Sequence, residues 1–509
     1  MLHSSPMLYG HRSRQRRRPR AAIVARLGSA IRLLAALALL ASLAACGSSP
    51  QGPALETFRP AVLVTPPREL PLDAVLRYQL ELTAKPLDNS LSGQVSIRYQ
   101  NQTQGDLREV YLRLCPNLPM YGGKLDVSRA TVDGREVPFV VGAKNASLKV
   151  PLPHTLAPQK AALLVIDFAL TYPEMKGDYD FFGVRDGVTV LPDFYPMVAP
   201  LIDGEWRLDP SPGFGDAALS DLAFYDIEVS LPSGYQAIAP GKTVGTTTTP
   251  AKGVTTYHII TGLLRNIGLV IGQGYEAQTL QVGAITITSQ ALPQDLTTSR
   301  AALTHAAGAL AYYQDNLAPY PDNHLLLVRV PLRQATVHLS GMILLNSALY
   351  GEKRDSLEQA VVDGVARQWW GLRLASDPIR DAWLDESLAT YSTYMYLRET
   401  HGSAAEAFPE AWQATYADLV KSGQDGPLAQ PLANFGGSAH YEALVYNKGP
   451  LFWQELEKLL GQSGLLTIMR ELQRQSFGRV LDTAGLLATL NQLAGAPATD
   501  LAQKWVLGK

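Results

Sequence analysis

The chain has 509 residues, 46% of them hydrophobic and 18% charged, enough for two or three domains with cores of their own. Its first fifty residues hold eight of the 44 Lys and Arg and no acid, so the remainder carries 36 basic against 46 acidic residues, about −10. That balance argues against nucleic acid and against a polybasic membrane surface as partners.

The chain opens on Arg12, Arg14, Arg16, Arg17, Arg18, Arg20, Arg26 and Arg32, followed by an apolar run, LLAALALLASLAA, that ends at Cys46. The run is shorter than the ~20 residues that span a bilayer, and it fits the hydrophobic region of an export signal. Leu43-Ala44-Ala45-Cys46-Gly47 is similar to a bacterial lipobox. The similarity implies lipidation of Cys46 as the mature N-terminus and attachment to a membrane of the cell envelope, outside the cytoplasm. An ordinary signal peptide cut nearby is the alternative, and the cysteine favours the lipobox. Met7 is a second candidate start. Cys115 is the only other cysteine, so an acylated Cys46 leaves no intrachain disulfide. Residues 1–46 are therefore read as signal and lipobox, and 47–70, rich in Pro, Ser and Gly, as a tether.

From Tyr78 the chain alternates in short runs broken by turn residues. SGQVSIRYQN places Val95, Ile97 and Tyr99 on one face, and Asp133-Gly134 is a hairpin signal. AALLVIDFALTY, AFYDIEVSLPSGY and TTYHIITGLLRNIGLVIG continue the style. Many short strands in succession predict an antiparallel β-sandwich over 71–291. From Thr297 the period becomes helical in SRAALTHAAGALAYYQDNL, then a strand, HLLLVRVP, follows Tyr320-Pro321. Residues 292–509 are thus a mainly α-helical domain with a small sheet, closing on three amphipathic stretches that end near Trp505.

Its central block is SLEQAVVDGVARQWWGLRLASDPIRDAWLDESLATY, residues 356–391. Leu357, Val361, Val365 and Trp369 recur every four residues as one apolar stripe, while Asp363, Arg367 and Trp370 share another face. A second helix opens near Asp385-Glu386, where early acids suit the positive helix N-terminus. The tryptophans Trp369, Trp370 and Trp383 read as core.

This block resembles the zinc-site region of the M1 family of metallopeptidases, the membrane alanyl aminopeptidases and their relatives. There the pattern is H-E-x-x-H, eighteen residues, then a Glu inside a W-L-N-E-x-x-A-T-Y-like segment. Here V-V-D-G-V-A-R-Q-W-W-G and W-L-D-E-S-L-A-T-Y lie over the two parts, with Glu386 nineteen positions after Arg367. The resemblance implies a thermolysin-like second domain behind the sandwich, and the strand opening Y-x-L-E-L-x-x-K-x-x-x-x-x-L-S-G-Q-V-x-I-x-Y-x-N fits the family's β domain. The segment from Gly177 to Pro212 departs from it.

The resemblance also assigns roles. Asp363 and Arg367 stand at the two histidine positions, Gly364 at the general-base Glu, and Glu386 at the third metal ligand. Ser340-Gly341-Met342-Ile343-Leu344 stands at the G-x-M-E-N substrate motif, so Gly341 and Met342 are its substrate-binding candidates, without the acid that holds an α-amine. Tyr446-Asn447-Lys448-Gly449 matches Y-x-K-G, whose Tyr donates to the tetrahedral intermediate. An active site of this kind needs lone-pair ligands for Zn²⁺ and a base for its water. A guanidinium has no lone pair and stays charged, and Gly364 has no side chain. No cofactor is therefore expected, with zinc as the cofactor if the family activity survives.

Asp363 precedes Arg367 by one turn, the favourable order for an ion pair. The expectation is that Arg367 occupies the former metal position, held by Asp363 and Glu386. His338 and His440 are the histidines placed to border such a cleft. Three readings follow. The first is an inactive pseudo-peptidase binding a peptide or protein in the envelope. The second is a zinc aminopeptidase with non-standard ligands, and the third is an envelope lipoprotein with a structural role.

Overall fold

Period-two burial builds the first half of the molecule. On Leu76–Lys85, Tyr78, Leu80, Leu82 and Ala84 are buried while Glu81, Thr83 and Lys85 face solvent. Its antiparallel neighbour Ser90–Gln100 sets Val95 opposite Leu80 and Ile97 opposite Tyr78, so both strands turn their apolar residues to one side. These strands lie at the centre of an eight-stranded sheet that runs from Lys242–Thr249 at one edge to Arg135–Glu136 at the other. A four-stranded sheet containing Leu107–Arg113 and Ser147–Leu156 covers its apolar face. Val110, Leu112, Leu148 and Val150 share one core with Leu80, Val95 and Ile97. The expected sandwich is present, with one departure from the antiparallel reading: Leu76–Lys85 runs parallel to Ala223–Pro232. A hairpin forces antiparallel pairing, and the long excursion between these two strands removes that constraint.

The computed structural model describes residues 52–63 and 70–509, apart from 210, 218 and 372. The signal and lipobox expected over 1–46, Cys46 included, lie outside the described residues. Among the described residues no helix is long and apolar enough to cross a membrane. Gln51–Lys509 form one compact unit.

The second half is a five-stranded sheet with helices on one face. Its strands run in the order Glu276–Val282, Ile285–Ala291, His324–Val330, Met342–Asn346 and Thr336–Leu339. The first two were expected to close the sandwich. Ile285–Ala291 instead bonds to His324–Val330 and carries Glu276–Val282 with it, which draws the seam near residue 275 rather than at 291. Helix α1 (Leu296–Asn316) lays Ala302, Ala306, Ala309 and Tyr313 on this sheet, a 3.6-residue stripe of mostly small side chains that permits close approach. Helix α2 (Leu357–Ala366) buries Leu357, Val361 and Val365, and helix α3 (Leu384–His401) is buried along most of its length. Helices α4 (Ala407–Lys421), α5 (Gly449–Gln475), α6 (Thr483–Ala494) and α7 (Ala496–Trp505) complete the layer.

The tether expected over 47–70 is docked in part. Phe58 is fully buried and stacks on Phe224 with ring centroids 4.9 Å apart, and the Leu63 N–H donates to Pro321 O at 2.9 Å. Pro and Ser content signals irregular backbone, but Leu55, Phe58 and Val62 give this stretch an apolar side that packs across both halves. The halves are also stitched by Arg265, whose backbone N–H donates to Ser340 Oγ at 3.0 Å and whose guanidinium donates to Ser220 O at 2.7 Å and Arg479 O at 3.1 Å.

Candidate functional site

Helix α2 ends one residue before Arg367, so this side chain leaves the last turn facing the N-terminus of α3. Arg367 Nε donates to Asp363 Oδ2 at 2.9 Å, and Arg367 Nη1 donates to Glu386 Oε2. The guanidinium thus lies between the first-histidine and third-ligand positions, as the i, i+4 spacing and the distant Glu together require. Burial works against its charge, but Asp363 and Glu386 outweigh burial and hold the guanidinium firmly protonated. Burial alone would lift the Asp363 carboxyl. Arg367 reverses that and holds it below its ordinary value. His338 Nε2 stands 3.6 Å from Asp363 Oδ2. Burial, and then the charge of Arg367, pushes this imidazole down to about 3, so it is neutral.

Position 364 is closed as well as empty. A Cβ there would sit 2.7 Å from Ile343 Cγ2 and 2.9 Å from Ile343 Cδ1, and Ile343 is fully buried. A general-base carboxylate has no room in this packing.

His338, Asp363, Arg367 and Glu386 line a cleft of about 470 Å³ between the two halves, together with Tyr121, Asp193, Asp216, Trp370, Asp385 and Tyr446. Tyr446 comes from a π-helical turn, Leu444–Lys448, ahead of α5. Burial, then the charge of nearby Glu386, raises its phenol well above the ordinary range, so it is a hydrogen-bond donor here. Gly341 and Met342, expected at the substrate, do not line the cleft. Gly341 makes the turn between two strands at φ 68°, with its N–H donating to Gln368 Oε1 at 2.9 Å. Met342 is the next strand residue, and its side chain goes into an apolar core. His440 is also elsewhere, bonded to Gln424 O at 2.8 Å. Trp369, Trp370 and Trp383 are all buried.

Sequence reasoning missed the cleft's other carboxyls, Asp385, Asp216 and Asp193. Burial, followed by the charge of Glu386, lifts Asp385 to about 8 and Asp216 to about 6. Asp216 is open to the cleft, where the surrounding protein still desolvates it. Burial also lifts Asp193 to about 6, while it accepts a bond from Tyr121 Oη at 3.0 Å. The adjacency of Asp385 to Glu386 was the one available signal.

A raised carboxyl keeps in the folded state a proton that the unfolded chain has lost, so Asp385 makes stability fall as pH rises from about 4 to about 8. Asp385 Oδ1 accepts from Ser376 Oγ at 2.6 Å and from the Glu386 N–H at 3.0 Å, bonds an amide oxygen retains. Asp385→Asn is therefore expected to be more stable than wild type above pH ~8 by at least about 1.4 kcal/mol, one pKa unit's worth, and equal to it near pH 4. Urea unfolding at the two pH values checks this. A wild type that matches the variant at high pH refutes it.

Zinc does not fit the residues at its family position. Arg367 is a cation there, and it engages an oxygen of each of the two carboxylates. Among the described residues no group of three or more His, Cys, Asp or Glu side chains is arranged to hold a metal.

The β half followed by the helical half is the two-domain architecture of solved M1 zinc metallopeptidase structures. The M1 zinc metallopeptidase from Deinococcus radiodurans superposes with a TM-score of 0.66 at 23% identity, over 85% of this chain and 93% of that one. A mutant of that enzyme bound to a Tyr-Ser-Ala substrate superposes with a TM-score of 0.64 at 22% identity, over 85% and 93%. At such identities the likeness is one of fold. No curated protein sequence matches the chain. Residues 310–505 match the Peptidase family M1 domain. The second half of the chain is therefore similar to the M1 peptidase domain.

Proposed function

We propose that this chain is a catalytically inactive M1-family protein that binds a peptide or protein partner in its cleft, as an envelope component anchored by lipid on Cys46. The observation that carries the reading is the Arg367 guanidinium held between Asp363 and Glu386, where the family places its metal. With no lone pair at 367 and no base at 364, neither the metal-bound water nor its deprotonation has a residue to support it. The open cleft, with Tyr446 and several carboxyls on its walls, retains groups that can donate to and accept from a peptide backbone.

The second reading, a zinc aminopeptidase with non-standard ligands, draws on Glu386 and Tyr446, both of which line the cleft. The test uses the tripeptide Tyr-Ser-Ala with the 47–509 chain and added zinc, followed by calorimetry and by mass spectrometry of the products. Saturable binding without cleavage is the expected result. Release of free tyrosine would install the enzyme reading, and absence of binding would leave a structural envelope role. For the anchor, metabolic labelling with palmitate is expected in the full chain and lost in Cys46→Ala.

A further inference from the structure

A second, smaller pocket lies on the seam away from the Arg367 cleft, between Ala237–Thr243 of the β half and the five-stranded sheet, with a volume of about 210 Å³. Strand alternation makes its floor polar. Ile285, Ile287, Ser289 and Ala291 turn to the buried side beside α1, so Thr286, Thr288 and Gln290 face the opposite way, toward the β half. The parallel neighbour adds His324, paired with Thr286, on that same face. Lys242 and Thr243 close the other wall, and no acidic residue lines the pocket.

Lys242 makes no ion pair among the described residues. Gln290 Oε1 is buried without a hydrogen-bond partner, an uncommon state for a native acceptor. The amide nitrogen of Asn323 is committed to Pro60 O at 3.0 Å, so its oxygen accepts from His324 Nδ1. Burial and the charge of Lys242 hold the imidazole neutral, which leaves His324 Nε2 as an acceptor. Thr286 Oγ1 already accepts from Gln281 at 2.8 Å, so its own hydrogen is left to donate. The set is therefore one ammonium, hydroxyl donors, and two acceptors, of which Gln290 Oε1 is buried without a donor.

We propose that this pocket binds a small hydroxylated anion, with a phosphate or carboxylate group against Lys242 and the threonine hydroxyls and a hydroxyl donating to Gln290 Oε1 and His324 Nε2. A neutral polyol leaves Lys242 unpaired, and a bare anion leaves both acceptors unpaired, so a ligand with both features satisfies the wall. The volume lies below the ~300 Å³ at which drug-sized pockets begin, which limits the ligand to a few carbons. This site is separate from the cleft of the proposed function and does not depend on that reading.

Calorimetry of the 47–509 chain with sn-glycerol 3-phosphate, inorganic phosphate and glycerol tests it. Glycerol 3-phosphate is expected to bind saturably, roughly tenfold more tightly than phosphate, with glycerol weaker still. Lys242→Ala, at an exposed position, is expected to weaken glycerol 3-phosphate by at least about tenfold, and Thr288→Val by a few-fold, with unchanged circular dichroism. No saturable heat up to about 10 mM, equal binding of glycerol, or an unaltered affinity in Lys242→Ala would each overturn the proposal.

Discussion

Arg367→Ala is expected to destabilise the protein by about 3 kcal/mol at pH 7–8, the lower end of the ~3–5 kcal/mol seen when one member of a buried ion pair is removed. The lower end applies because Asp363 keeps 24% of its side-chain surface exposed, although Glu386 keeps only 9%. The loss has two parts. Alanine deletes two charge-assisted hydrogen bonds, and it leaves two carboxylates facing each other in a cleft that already holds Asp216 and Asp385. The second part has a pH signature. With Arg367 present, Asp363 is held below its ordinary value, so its contribution exists above about pH 4 and disappears as pH falls through the folded pKa. Without Arg367 the carboxyls rise, and acid relieves the variant. Wild type and Arg367→Ala should therefore draw together in melting temperature as pH falls below about 4. A variant that melts with wild type at pH 8 would mean the guanidinium is a solvated surface group worth under about 1 kcal/mol.

Gly364→Glu restores the general base of the family in name and is expected to cost about 3 kcal/mol or more. The added Cβ meets Ile343 Cγ2 at 2.7 Å in a fully buried contact, and overpacking of this kind costs ~1–3 kcal/mol. The gain of about 1 kcal/mol in helix propensity over glycine offsets part of that. A new carboxylate beside Asp363 and Glu386 then adds like-charge repulsion and desolvation. Pairing it with Ile343→Ala removes the steric part, so the double variant should recover about 1 kcal/mol or more relative to Gly364→Glu. Should Gly364→Glu melt within about a degree of wild type, α2 would have to shift readily, and the packing argument fails.

This packing couples position 364 on the helix to position 343 on the strand. Ile343 falls within the segment over the substrate motif, at positions where the family carries a carboxylate, and its side chain fills the space in front of Gly364. The two substitutions are complementary in volume. A carboxylate at position 364 would need changes on both the helix and the strand.

Much of this was legible from residue spacing. The stripe Leu357, Val361, Val365 fixed which side of α2 is buried, and that placed Asp363 and Arg367 together on the cleft side. The separation to Glu386 was informative only through the family pattern, since no local rule brings two helices' ends together. Local pattern could not reveal Asp193, which reaches the cleft from the segment where the chain leaves the family sequence, or Asp216 shortly after that segment. Nor could it reveal that Gly341 turns toward Gln368 and Met342 into the core, because a one-residue change of strand phase decides which face each presents. The docking of Phe58 was hidden by its composition: proline-rich neighbours read as a tether, while three spaced apolar residues were enough to hold it. The parallel pairing of Leu76–Lys85 with Ala223–Pro232 joins residues nearly 150 positions apart, beyond any turn signal.

The measurement closest to the central claim is the metal content of the purified 47–509 chain, dialysed first against zinc and then against metal-free buffer. An internal guanidinium at the metal position predicts well under one zinc per chain, in wild type and in Tyr446→Phe alike. About one tightly held zinc per chain would contradict it, because Arg367 would then have to leave Asp363 and Glu386 to make room for the ion.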